Sequence, residues 1–416
     1  MKNKLIRLIF RDFWYVVCVE LASRYSSLHW ESIVENVEKM INCGESTNGY
    51  AEYICPNCFE KKRVGFTCKC RFCTSCGKRY VDEWVEKTVK SIFDVVHRHL
   101  VFTIPQELRK IIFSDRMLIK IMMDCASKAA VEVLQSKGVD AVPGILSVVH
   151  TFGRDLKFNP HVHMLMTEGG LTSSNQWVDI PFLPYGLLRK KWQYYLLTEI
   201  KASLPQTKEN VRFIDYLFKS QRNGFYVNGK SKMTSARHAA RYIGRYMARP
   251  ALAEHKITNY DGEEVTFWYI DHKTEVKVTE AIPAKEFIQR LIDHIPLKGF
   301  KMVRHYGLYS RRTKTIAIEI LMDCKRFIQK TFEFMKSDSR SLSWRERLVQ
   351  SFGKDPLTCP NCKEKMLLWR IWHPDYGDIF DLSRDGPFVE SKSKQECNKR
   401  NSSGRQVKWI PQLLPF

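Results

Sequence analysis

The stretch Asn159-Pro160-His161-Val162-His163-Met164-Leu165-Met166 decides how this chain is read. It predicts a strand from His161 to Thr167, on which alternation of faces sends both imidazoles to one side, where they can hold a divalent metal. Ile145 to Phe152 reads as a second strand, and the connection from Gly153 to Pro160 is long enough for the two to pair antiparallel. His150 on that strand is the expected third ligand, with His238 and Glu168 as the next choices. Mixed nitrogen and oxygen ligation points to Mg2+ or Mn2+ in use, although imidazoles also suit zinc or nickel.

Further along, Tyr242-Ile243-Gly244-Arg245-Tyr246 falls in a predicted helix from Ser235 to Met247, ended by Pro250. A spacing of four places both phenols on one helix face, one turn apart. His238 shares their stripe, and Arg237, Arg241, Arg245 and Arg249 form the neighbouring one, suited to phosphate. Alone, the tyrosines would read as amphipathic packing residues. Beside a metal that polarises a phosphate oxygen, they become nucleophiles able to cut nucleic acid through a covalent intermediate.

The composition agrees with such a substrate. Lys and Arg number 67 against 45 acidic residues, a formal charge of +22 that draws polyanions and makes binding salt-dependent. A 44% hydrophobic content over 416 residues provides for two or three cored domains. The apolar run from Leu5 to Val17 is broken by Arg7, Arg11 and Asp12, so it is neither a signal peptide nor a span, and no other segment suits a membrane. A cytoplasmic location is expected, and nothing fixes an oligomeric state. The 13 cysteines then read as metal ligands or buried thiols rather than disulfides.

Helices are expected over 79–97, 116–136 and 187–202, and strands over 99–105, 211–218, 265–270 and 275–279, the last two as a hairpin. Strands and helices mix without a strand-helix-strand rhythm. The expected class is therefore α+β, a central antiparallel sheet flanked by helices, with a Cys-rich zinc module at the N-terminal side. Residues 1–95 are assigned to that module, 96–320 to a catalytic domain, and 321–416 to a C-terminal helical region with one Cys knuckle and a polar, flexible tail.

In the module, Cys55-Pro56-Asn57-Cys58 and Cys73-Thr74-Ser75-Cys76 form two knuckles expected to share one tetrahedral zinc. Cys43, Cys68 and Cys70 exceed the four ligands one ion takes, so Cys43 and Cys68 serve either a second zinc or an exchanged ligand set. Lys61, Lys62, Arg63, Lys69, Arg71, Lys78 and Arg79 surround the knuckles and suit DNA phosphates. Cys359-Pro360-Asn361-Cys362 is a further knuckle without an evident partner pair nearby, for which Cys397 and His373 are candidates. Phe225 and Tyr226 lie near Lys219 and Arg222 and read as base-stacking or, more often, packing residues.

At these motifs the chain resembles the rolling-circle insertion-sequence transposases of the two-tyrosine kind, insertion-sequence family ninety-one, among the HUH endonucleases. The resemblance spans most of the chain: Cys43 to Cys76, His99 to Pro105, His150-Thr151-Phe152-Gly153, Pro160 to His163 with Gly169-Gly170, Tyr242 to Tyr246, and Gly299 to Gly307. It implies an HUH-type nuclease domain in which His161 and His163 bind the metal. Tyr242 and Tyr246 would attack single-stranded DNA at element ends and target, forming a 5′-phosphotyrosine link and freeing a 3′-hydroxyl. Rejoining would then need no ATP, and the chain has no phosphate-binding loop for a nucleotide. Asn159 and Phe72 stand where many relatives have histidine, and Cys70 is additional.

Three other readings use the same residues. A rolling-circle replication initiator or relaxase shares the chemistry but not the cysteine module or Gly299 to Gly307. A non-enzymatic zinc-dependent DNA-binding regulator would not need the tyrosines, and a zinc phosphodiesterase would never trap DNA on protein.

Overall fold

A computed structural model describes residues 5–89, 91–180, 182–247, 251–271 and 274–323, then 345–346, 349, 353, 355 and 357–386. In chain order the elements are α1 (Leu5–Ala22), α2 (Ser27–Ile41), β1 (Tyr50–Ile54), β2 (Lys61–Gly65), α3 (Thr74–Val89), β3 (His97–Phe102), α4 (Glu107–Ser114) and α5 (Leu118–Gln135). There follow β4 (Val142–Phe152), β5 (Phe158–Leu171), β6 (Trp177–Asp179), α6 (Tyr185–Ser203), α7 (Lys208–Ser220), β7 (Val227–Met233) and α8 (Ala236–Met247). The remainder are β8 (Ile257–Tyr260), β9 (Glu264–Ile270), β10 (Lys277–Pro283), α9 (Ala284–Ile292), β11 (Val303–Gly307), α10 (Arg311–Asp323), β12 (Leu367–His373), β13 (Gly377–Asp381) and a last short helix, Leu382–Asp385.

The class is α+β, as expected. The central sheet runs β11-β4-β5-β3-β7, with β6 paired to β5, and every pairing is antiparallel. Alternation along β5 explains its two faces. Val162, Met164 and Met166 point into a core with Leu100, Phe102, Val149, Leu134 of α5, and Trp192 and Leu196 of α6. The opposite face carries Leu146, Val148 and Leu165, covered by Ala239, Ala240 and Ile243 of α8. His161 and His163 share the parity of Leu165, so the sheet presents them toward the side on which α8 packs.

One expected strand is a helix. Residues 211–218 lie inside α7, which Thr207 caps by accepting a hydrogen bond from the Asn210 N–H at 3.2 Å. Ile214 and Leu217 are its buried positions, with Phe213 and Phe218 partly buried against the same core. That spacing of three and four is helical, whereas a strand would bury every second residue. The expected helix over 79–97 begins earlier, at Thr74, and ends at Val89, before β3 starts at His97. Pro250 lies outside the described residues.

Two compact units are interleaved along the chain. Residues 1–35 belong with 80–339, and residues 36–79 belong with 340–416. The second unit is built on a four-stranded sheet, β13-β12-β1-β2, in which β1 pairs antiparallel with both β2 and β12. Its core is Ala51, Tyr53, Cys55, Cys359, Met366, Ile371 and Phe380. Among the described residues, no helix is long and apolar enough to cross a membrane.

Candidate metal centres

Pairing of β4 with β5 sets His150 directly opposite His161 and Val148 opposite His163. One nitrogen from each of His150, His161 and His163 lies within 4.8 Å of the others, a spacing that one ion can bridge. The His161 Nδ1–H donates to the Asn159 carbonyl at 2.7 Å, which leaves Nε2 with its lone pair. Burial holds His161 below the ordinary histidine range, against the opposing pull of that carbonyl. A neutral imidazole with Nδ1 protonated can bind a metal through Nε2. All three donors are nitrogens, so oxygen ligands would come from water or a phosphate rather than from the protein group.

The reserve ligands are elsewhere. Glu168 is held by Arg98 Nε at 2.7 Å and by Lys232 Nζ at 2.9 Å, so it already balances two cations. His238 is exposed on α8 and is not among the clustered groups.

Tyr242 reaches this cluster through a residue that the sequence reading passed over as a site. Its ring stands edge-on to His99 with centroids 4.9 Å apart, and His99 Nε2 lies 3.0 Å from His163 Nδ1. The signal was present: His97-Arg98-His99 repeats the His-x-His spacing on β3, the other neighbour of β5. His97 is used differently. The Tyr309 hydroxyl donates to its Nε2 at 2.6 Å, and its Nδ1–H donates to the Val95 carbonyl at 2.8 Å.

Gly244 lets α8 pack closely against α3. A Cβ there would come 2.3 Å from Val85 Cγ2. Arg237 and Arg241 are exposed on α8, while the side chains of Arg245 and Tyr246, and all of Arg249, lie outside the described residues.

The cysteines are partitioned differently from expectation. Cys43, Cys68, Cys73 and Cys76 form one group of four, and Cys55, Cys58, Cys359 and Cys362 form another. The two knuckles nearest in sequence therefore stand in different groups, because β1 pairs with β12 and carries Cys55 to the knuckle that precedes β12. His373, offered as a partner for Cys359 and Cys362, instead stacks on Phe66 at 6.2 Å, and Cys397 lies outside the described residues. Cys70 is spent on Asn36, with Sγ 2.9 Å from its Oδ1.

The basic residues around the knuckles have mixed environments. Lys61 and Lys78 are exposed, while Lys62, Arg71 and Arg79 are half-buried. Arg63 is exposed but leans on Glu52 at 2.7 Å and over the Tyr50 ring at 4.8 Å. Phe225 is a core residue, whereas Tyr226 is exposed with the Arg189 guanidinium 4.7 Å from its ring.

Comparison with known proteins adds two family matches. The family described as "Putative transposase" matches residues 144–315, which include the three histidines and Tyr242. The family described as "Transposase zinc-binding domain" matches residues 15–104. The "Transposase for insertion sequence element IS801" of Pseudomonas savastanoi pv. phaseolicola is 28% identical over 351 residues, which cover 80% of this chain and 82% of that one. The "Putative transposase y4qJ" of Sinorhizobium fredii is 23% identical over 336 residues, covering 76% and 83% respectively. No solved structure matches.

Proposed function

Because this chain belongs to the IS91 family of insertion-sequence transposases, with an N-terminal zinc-binding domain, we propose that it cuts and rejoins single-stranded DNA through a tyrosine-linked intermediate. The observation that carries this reading is the contact of Tyr242 with His99, whose nitrogen lies 3.0 Å from His163 in the three-histidine cluster.

His150, His161 and His163 would hold Mg2+ or Mn2+, which when bound polarises a non-bridging oxygen of the scissile phosphate. The Tyr242 hydroxyl oxygen attacks phosphorus and loses its proton. The bond from phosphorus to the 3′-oxygen breaks, and that oxygen takes up one proton to become a 3′-hydroxyl. The 5′-phosphotyrosine ester keeps the energy of the broken bond, so a second 3′-hydroxyl can reverse the exchange on target DNA without ATP. Tyr246, one turn along α8, is the proposed second nucleophile, and Arg237 and Arg241 would hold flanking phosphates.

The test is to incubate the full chain with Mn2+ and a labelled single-stranded oligonucleotide from an element end, then run a denaturing gel. Label should travel with the protein, vanish with EDTA, and be undetectable in the Tyr242→Phe, Tyr246→Phe double variant. An adduct of undiminished yield in the double variant would exclude Tyr242 and Tyr246 as the nucleophile. Release of cut DNA with no adduct at any time would favour a phosphodiesterase instead.

A further inference from the structure

We propose that the chain holds two zinc ions in independent sites, the second bound by Cys55, Cys58, Cys359 and Cys362, and so stapling the knuckle after β1 to the knuckle before β12. The zinc-binding family match ends at residue 104, so half of this ligand set lies outside it.

The two halves are copies of one local structure. Both read Cys-Pro-Asn-Cys, then one residue, then Glu. In each, the residue after the second cysteine is left-handed without being glycine, Phe59 at φ 60° and Lys363 at φ 65°. The first cysteine's N–H donates to the glutamate carbonyl in both, Cys55 to Glu60 at 2.9 Å and Cys359 to Glu364 at 2.8 Å. The left-handed residue's N–H returns to the first cysteine's carbonyl in both, at 3.0 Å and 3.2 Å. Such a turn aims two thiols of one knuckle at one point.

The knuckles face each other. Cys55 Sγ lies 3.3 Å from Cys362 Sγ and Cys58 Sγ lies 3.5 Å from Cys359 Sγ, across 307 and 301 positions of sequence. A disulfide would close to about 2 Å. Four thiolates around zinc, each about 2.3 Å from the ion, stand roughly 3.8 Å apart, close to what is seen. Asn361 Nδ2 also donates to Glu60 Oε2 at 3.1 Å, tying one turn to the other. The sites differ in exposure. Cys43, Cys73 and Cys76 are buried with Cys68 half-buried, whereas Cys58 is at the surface. The second ion is therefore expected to leave first.

Metal content of the purified full chain, measured by mass spectrometry after dialysis, should be two zinc ions per chain. C359S/C362S and C55S/C58S should each retain one, the same one. Titration of wild-type protein with a thiol-reactive mercurial, read with a chromogenic chelator, should release one ion before the other, and this arm does not depend on a folded variant. One zinc per wild-type chain, two retained in C359S/C362S, or none retained in it would each overturn the proposal.

Discussion

His99 stands between a candidate nucleophile and the clustered histidines, and its hydrogen bond has a direction that matters. With the nitrogens 3.0 Å apart, one proton is shared between His99 Nε2 and His163 Nδ1. If His163 Nδ1–H donates, its Nε2 is left to bind metal; if His99 donates, His163 Nε2 must carry the proton and cannot. We expect His99→Ala to raise the Mn2+ dissociation constant about 10- to 100-fold, the usual cost of losing a ligand's outer partner. His99→Gln, which keeps an acceptor, should recover part of that loss. Calorimetric titration with Mn2+ decides it, and equal affinity in wild type and His99→Ala would show that His99 only packs. His161 and His163 were legible because their spacing on one strand is local. The His-x-His of His97 and His99 was equally local, but the role of His99 was not legible, because it depends on β3 lying beside β5, and that pairing joins residues far apart in sequence.

At the level of elements, α8 is where packing and chemistry meet. An alanine at Gly244 would gain up to about 1 kcal/mol of helix propensity. Its Cβ would fall 2.3 Å from Val85 Cγ2, a branched and short side chain with little room to turn away. Overpacking of this kind costs about 1–3 kcal/mol, so the clash wins and α8 should shift away from α3, which carries Val85. Gly244→Ala is expected to lower the melting temperature and the yield of the DNA adduct together. Adding Val85→Ala should restore both, because the two sites share the contact; a double variant no better than the single would remove this account. The helix itself was legible from its period. The helix α7 was not, since 211–218 alone is apolar enough for a strand and only the Thr207 cap with the spacing of Phe213, Ile214, Leu217 and Phe218 settles it. The repeated Cys-Pro-Asn-Cys was visible, but proximity in sequence joined Cys55 and Cys58 to Cys73 and Cys76, which the fold places in the other group.

At the scale of the molecule, the first unit buries neutral histidines, and this makes its stability depend on acidity. The His29 Nε2–H donates to the Ile295 carbonyl at 2.8 Å, and the His294 Nε2–H donates to the Leu156 carbonyl at 2.8 Å. Burial pushes His29 and His97 down to about 4 and His294 to about 3. In the unfolded chain each returns to about 6.5. Below that value the unfolded chain binds protons that the folded one refuses, so folding is favoured above pH 6.5 and weakens as pH falls toward 4. Each such group contributes a slope of about 1.4 kcal/mol per pH unit inside the window. His97 is the clearest case, since Tyr309 donates to its Nε2 and a proton added there would face another hydrogen. Urea unfolding of the first unit at fixed zinc, followed from pH 7.5 to 4.5, should show midpoints falling below pH 6.5. His97→Gln keeps an acceptor for Tyr309 and cannot ionise, so its curve should be shallower by about one proton's worth of slope. If both proteins lose stability with the same slope, His97 is not refusing a proton in the folded state.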